Sequence, residues 1–192
     1  MNPGLGGTSS PVAELVGALC EKARDANQLR VIRAAKGERL FDQGAKVDMV
    51  FILQSGLVKL VYETVDGDEW VKSLIADCGL FGPSDYAEGK TITYSARAIE
   101  PSSLGQIPLG WIDQTLLTSP DLAKAYARFI NWVRQRKEAR EAALLCQSPE
   151  DRYRDLLANS PSLLARMPQA DIARYLRITP IAFSRIKRRL RT

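Results

Sequence analysis

The residues with the most specific chemistry lie near the end of the chain. Ile181, Ser184, Arg185 and Arg188 recur every three or four positions, so a helix places them along one face. A hydroxyl, two guanidiniums and an apolar group on such a face suit the edge of a DNA groove. Thr179 and Pro180 precede them and read as a helix start, with a hydroxyl at the N-cap and a ring pre-set to helical φ in the first position. The N-terminus of that helix can hold a phosphate, with Thr179 beside it. Gln169, at the start of the preceding helix, is placed to meet the DNA backbone. Lys187, Arg189 and Arg191 are phosphate contacts or a solvated charge run, and the sequence allows both. A second candidate is the glycine-bearing stretch 78–84, whose Gly82, Pro83 and Ser84 could bring backbone N–H groups to an anion. A tight corner between strands fits that stretch equally well.

Catalysis is the class that composition argues against. The chain has no histidine, which removes Ser-His-Asp and Cys-His nucleophiles, His-ligated haem and the usual His-based metal sites. No paired constellation of carboxylates or lysine takes its place, so no catalytic residue, metal or cofactor is expected. Cys20, Cys78 and Cys146 stand far apart without metal or redox spacing and read as reduced thiols, a redox-sensing role being the lesser reading. Charge points to nucleic acid. From Pro149 on, ten Lys and Arg face four Asp and Glu, a net of +6, while the first 148 residues hold 17 against 18, a net of −1. The whole-chain charge of +5 therefore belongs to one end, the footprint of a phosphate-binding module.

The elements that must position these residues follow from hydrophobic period. Residues 168–192 give a helix carrying Ile172 and Leu176, a break at residues 177–179, and a second helix with Phe183, Ile186 and Leu190 on its inner face. Small Ala173 sits where the two helices cross. This is a helix-turn-helix, although similar helix pairs also occur in all-α cores. Upstream, residues 11–26 predict a helix. Short strands over 28–34, 39–41, 49–53, 57–62, 70–75, 91–98 and 102–107, parted by Gly-containing turns, predict a β-barrel or jelly roll. Helical period returns at Trp111, and residues 120–146, without Pro or Gly, form a rod of roughly 40 Å. Leu122, Ala125, Phe129, Trp132, Arg136, Ala139 and Ala143 alternate spacings of three and four, the seam of a parallel coiled-coil homodimer. Burial of that stripe on the chain's own domain is the other reading. The expected fold is α+β, with a disordered tail over 1–11, a β-barrel or jelly-roll sensor domain over 12–110, a short helix and a long dimerisation helix over 111–147, and an all-α helix-turn-helix domain over 148–192. Apolar runs fall far short of the roughly 20 residues of a spanning helix, and the start lacks a signal-peptide pattern, so a cytoplasmic protein without a membrane partner is expected.

The order GERLFDQG, VFILQSGLVKLVYETVDGDEWVKSL, GLFG, long helix and terminal helix-turn-helix resembles the Crp/Fnr bacterial transcription regulators from about Val12 onward. The resemblance implies a cyclic-nucleotide-binding-like sensor, a homodimer on the long helix, and the last helix in the major groove of two-fold symmetric double-stranded DNA. Arg185 matches the family's base-reading arginine and implies a guanine contact. An effector pocket is implied at Gly82, Pro83 and Ser84 and at Thr93, Tyr94 and Ser95. The family's ribose-binding Glu and phosphate-binding Arg-Ser/Thr-Ala do not appear in those stretches, and Arg97 falls later on the strand as a surface residue. A cyclic phosphate would lose a charge-assisted pair worth on the order of 1.5–3 kcal/mol, so no cyclic AMP response is expected and the effector is unknown. A lone Cys20 and no histidine match neither the iron–sulfur nor the haem members. The usual C-terminal wing has no counterpart, which implies a short form. The alternative is a ligand-sensing signalling protein whose C-terminal helices bind a protein such as RNA polymerase rather than DNA.

Overall fold

A computed structural model describes residues 10–83 and 91–190. Helix α1 (Pro11–Asp25) leads into eight strands, β1 (Arg30–Ala34), β2 (Arg39–Phe41), β3 (Met49–Ser55), β4 (Leu57–Glu63), β5 (Glu69–Ala76), β6 (Gly79–Phe81), β7 (Ser95–Ala98) and β8 (Ser102–Pro108). Six helices follow: α2 (Leu109–Thr118), α3 (Pro120–Cys146), α4 (Pro149–Asn159), α5 (Pro161–Arg166), α6 (Gln169–Tyr175) and α7 (Pro180–Arg189). The strands form two antiparallel sheets, ordered β1-β8-β3-β6 and β2-β7-β4-β5. They pack as an open, jelly-roll-like sandwich and do not close into a barrel. Helix α1 begins at Pro11, as the helical pattern over 11–26 predicts, and Ser10 caps it, its hydroxyl accepting from the Ala13 N–H at 3.3 Å. The rest of the expected tail lies outside the described residues.

Strand alternation sends side chains to both faces of each sheet. Phe51, Leu53, Val58, Leu60 and Leu104 meet between the sheets. Val50, Ile52 and Ile107 leave the outer face of the first sheet and pack with Leu15 of α1, Ile112 of α2 and Leu122 of α3. Leu57, Val61, Val71 and Leu74 leave the outer face of the second sheet and join Tyr153, Leu163, Leu176 and Phe183. The layers therefore run helices, sheet, sheet, helices, and the C-terminal helices share a core with the sandwich. Each large apolar side chain buried this way contributes roughly 1.5–3 kcal/mol.

Strand β4 is covered on both sides, yet it carries Lys59, whose residue is only 4% exposed. A buried ammonium is costly unless paired. Its Nζ donates to Asp171 of α6 at 2.7 Å, and Asp171 is 6% exposed; Glu69 of β5 lies 3.5 Å away. Arg97 and Arg174 close on Glu69 at 3.3 and 3.4 Å. Burial pushes the Glu69 carboxyl up, but these three cations together hold it below its ordinary range. A second tie sits at the other end of the sheet, where Arg166 of α5 donates to the Gly56 carbonyl at 2.7 Å and to Asp77 at 2.9 Å, and also pairs with Glu100. Gly56 itself has φ +110, and a Cβ there would sit 2.8 Å from the Ser102 Cα. Only glycine suits that corner.

Two expectations for the strands change. Residues 78–84 were expected as a loop, but Gly79–Phe81 pairs with Leu53–Phe51 as β6, because Leu80 and Phe81 find apolar neighbours and Gly79 lets the backbone pass close to Ile75. Residues 91–94, expected to begin a strand, are held by the turn after β2 instead. The Ile92 N–H donates to the Ala45 carbonyl, and Gly44 donates back to that of Ile92.

Lys59→Met should leave the buried Asp171 carboxylate short of its main cation and cost about 3–5 kcal/mol. Lys59→Met combined with Asp171→Leu should recover most of that loss. Urea unfolding of both variants checks this, and equal destabilisation by the single and double changes would contradict it.

Candidate nucleic-acid interface and effector pocket

Helix α7 is built to show one face. Its start is fixed by Thr179, whose hydroxyl oxygen accepts from the Ala182 N–H at 3.2 Å, with Pro180 in the first turn. The hydroxyl proton stays available to a phosphate oxygen. Phe183 and Ile186 are buried on the inner side, where the Phe183 ring meets Tyr153 edge-on at 5.0 Å. Ala173 is fully buried at the crossing of α6 and α7. The turn between them passes through Arg177 at φ +59, a left-handed conformation that costs a non-glycine residue about 1 kcal/mol or more. The Arg177 guanidinium lies 4.1 Å over the Trp70 ring of β5, which anchors the turn to the sandwich.

The outward face carries the expected set. Ile181 is 68% exposed, and Ser184, Arg185 and Arg188 are exposed beside it. Gln169, at the first position of α6, joins Ser184, Lys187 and Arg188 around a shallow cleft of about 270 Å³. The fold thus brings together five of the residues assigned to DNA and one assigned to phosphate. Arg189 differs. It pairs with Glu150 of α4 and ties the end of α7 to that helix, so it is not simply a solvated or phosphate-facing charge. Arg191 and Ser84 lie outside the described residues. The Glu150 to Arg189 bridge and the positive φ of Arg177 have no signal in the sequence, because a salt bridge across 39 residues and a positive φ at a non-glycine leave no local pattern.

The proposed dimer seam is largely used inside the chain. Leu122, Ala125 and Phe129 are buried with α1 and α2, and Trp132 packs against the same cluster. Arg136 is half-buried, with its guanidinium 4.7 Å over the Trp132 ring. Of the seven positions, Ala139 is exposed and Ala143 partly so. The reason is α1, which lies along the first half of α3 and is pinned there by Glu14 and Arg128. Farther on, Arg140 donates to the carbonyls of Val71 and Tyr175, both at 3.0 Å, joining α3 to sheet and helix-turn-helix together.

Of the expected effector-pocket residues, Gly82 and Tyr94 meet directly. The Tyr94 hydroxyl donates to the Gly82 carbonyl at 2.6 Å and accepts from the Gly82 N–H at 3.3 Å, so that N–H already has a partner within the chain. Tyr94 belongs to the aromatic core, 5.7 Å from Phe41, and burial pushes its phenol up to about 12. Ser95 is buried and accepts from the Gln43 N–H at 2.8 Å. Thr93 is exposed and Pro83 partly so. Arg97 is partly buried and pairs with Glu69, so it is no stray surface cation. The cation beside Tyr94 is Lys72 of β5, with Nζ 4.2 Å from the ring centroid. Its position follows from a register shift that strand period alone does not reveal.

Residues 31–119 match the family model of the cyclic nucleotide-binding domain. The transcriptional activator protein Anr of Pseudomonas protegens is 28% identical over 126 residues, which are 65% of this chain and 50% of Anr. The global nitrogen regulator of Synechococcus elongatus is 29% identical over 99 residues, 50% of this chain and 44% of its own length. The structure of FixK2 from Bradyrhizobium japonicum superposes with a TM-score of 0.74 at 19% identity, covering 85% of this chain and 84% of that one. The chain spans about half the length of the curated relatives it matches. A stretch similar to the cyclic nucleotide-binding domain is thus followed by a long helix and a helix-turn-helix, and the whole has a fold similar to that of FixK2.

Proposed function

We propose that the chain is a cytoplasmic, homodimeric, sequence-specific DNA-binding regulator of transcription that does not respond to cyclic AMP. The observation that carries this reading is α7, with an inner face locked into the core and an outer face that leaves Ile181, Ser184, Arg185 and Arg188 exposed. Arg185 takes a guanine edge, Ile181 meets a thymine methyl, and Thr179 with the first turn of α7 holds a phosphate. Gln169 positions α6 on the backbone. The names of Anr and the global nitrogen regulator support a regulatory role. Dimerisation runs along the part of α3 that α1 leaves open, with Ala139, Ala143 and the exposed Leu145 in the contact. A two-fold dimer reads two half-sites about one helical turn apart. Lack of a cyclic AMP response is supported by the sequence, where the family's ribose-binding Glu and phosphate-binding Arg have no counterpart in the stretches 82–84 and 91–95.

Binding to a fluorescent duplex as salt is raised tests this reading against a protein-binding role for the same helices. Affinity should fall by roughly 10³–10⁵ between about 50 and 200 mM salt if six to ten phosphates are contacted. Arg185→Ala should cost about 1–3 kcal/mol at a specific site and relax the base preference there. A weak salt response, or an unchanged footprint for Arg185→Ala, would overturn the assignment. Light scattering should give twice the 21.3 kDa chain mass, with Ala139→Asp shifting the protein toward monomer.

A further inference from the structure

We propose that Lys72 is the ligand-reading cation of the sensor, and that the site takes the oxyanion group, carboxylate or phosphate, of a small ligand at the sandwich rim facing α3. This rests on reading the sandwich as a sensor. Lys72 is the extra residue of a β-bulge: Leu60 stands opposite Ser73 and Val61 opposite Val71, which leaves Lys72 unmatched. Bulges re-aim a side chain. Here the Lys72 Nζ lies 4.2 Å over the Tyr94 ring and 6.0 Å from that of Tyr62, which is 44% exposed and opens the site to solvent.

Two other shielded cations of the sandwich have their counter-charges. Lys59 has Asp171, and the partly buried Arg97 has Glu69. Lys72 is the exception, since no carboxylate among the described residues pairs with it and the charge acting on it is that of Lys137 on α3, of like sign. Burial first, and Lys137 second, push its ammonium down to about 8. A desolvated cation with a like neighbour favours any anion that can reach it. An ammonium is a compact point charge without the planar fork of arginine, so it suits a small oxyanion better than a cyclic phosphodiester. Tyr62 and Tyr94 frame the site with two aromatic rings, and the Tyr94 hydroxyl remains with Gly82.

Thermal unfolding of the full chain at constant ionic strength tests this, with inorganic phosphate, succinate and cyclic AMP as probes against chloride. Phosphate or succinate should raise the melting temperature saturably at pH 7, and the one that does identifies the oxyanion. Lys72→Met should weaken that effect roughly tenfold or more in apparent affinity. Because Lys72 loses its proton above about 8, the wild-type effect should fade by roughly pH 9.5, whereas Lys72→Arg should keep it there. DNA affinity without added probe should be the same in wild type and Lys72→Met, which separates failure here from failure of the DNA-binding reading. Melting temperatures that follow ionic strength alone, an undiminished response in Lys72→Met, or saturation by cyclic AMP and neither oxyanion would overturn the proposal.

Discussion

The buried pair between Lys59 and Asp171 is the constraint on which the rest of the arrangement depends. Its two residues stand 112 positions apart, one in the middle of a sandwich strand and the other in the first helix of the helix-turn-helix. An ammonium inside a strand covered on both faces is tolerable only with a counter-charge at contact distance. That requirement fixes where α6 can sit. Glu69, Arg97 and Arg174 extend the pair into a network, so the helix is held in position as well as in place. With α6 set against the sheet, α7 has one side left for solvent, and that side carries Ile181, Ser184, Arg185 and Arg188.

The same economy runs through the other layers. One helical layer, α1 to α3, covers the first sheet, and a second, α4 to α7, covers the other. Helix α3 bridges them, since its first half is core to the sandwich and its Arg140 binds both β5 and the end of α6. A change at the sandwich rim therefore has a short physical route to the helix-turn-helix through β5, which carries Lys72, Val71, Trp70 and Glu69 in succession. Each of these four touches a different part: Tyr94, Arg140, Arg177 and the Lys59 network. Strand β5 thus touches both the sandwich rim and the helix-turn-helix.

Much of this was legible in the sequence where the cause is local. Thr179 with Pro180 marks a helix start, and the hydroxyl caps as expected; the pair Ser148 and Pro149 carries the same signature and caps α4 in the same way. Ser119 and Pro120 stand at the start of α3 in the same order, although the serine side chain makes no cap bond. The Gly-containing turn between β4 and β5 is Asp66-Gly67, where Gly67 adopts φ +85. What escaped has non-local causes. The stripe on α3 has the spacing of a coiled-coil seam, and its pattern cannot tell a partner helix from α1 of the same chain. Glycines at 79 and 82 suggested a loop, but Gly79 is there to pack β6 against Ile75. Lys59 has the place of a polar member in an alternating strand, and its partner Asp171 lies in another element. Lys72 depended on a one-residue slip in pairing, which no periodicity carries.

The role proposed for the exposed face of α7 is to read base sequence as part of a two-fold dimer. Selection of bound duplexes from a random DNA library by the intact protein tests it most directly. Enrichment of a single motif built from two inverted half-sites, spaced by about one helical turn, is the predicted result. Recovery of duplexes without a shared motif, or of a single asymmetric half-site, would contradict the account.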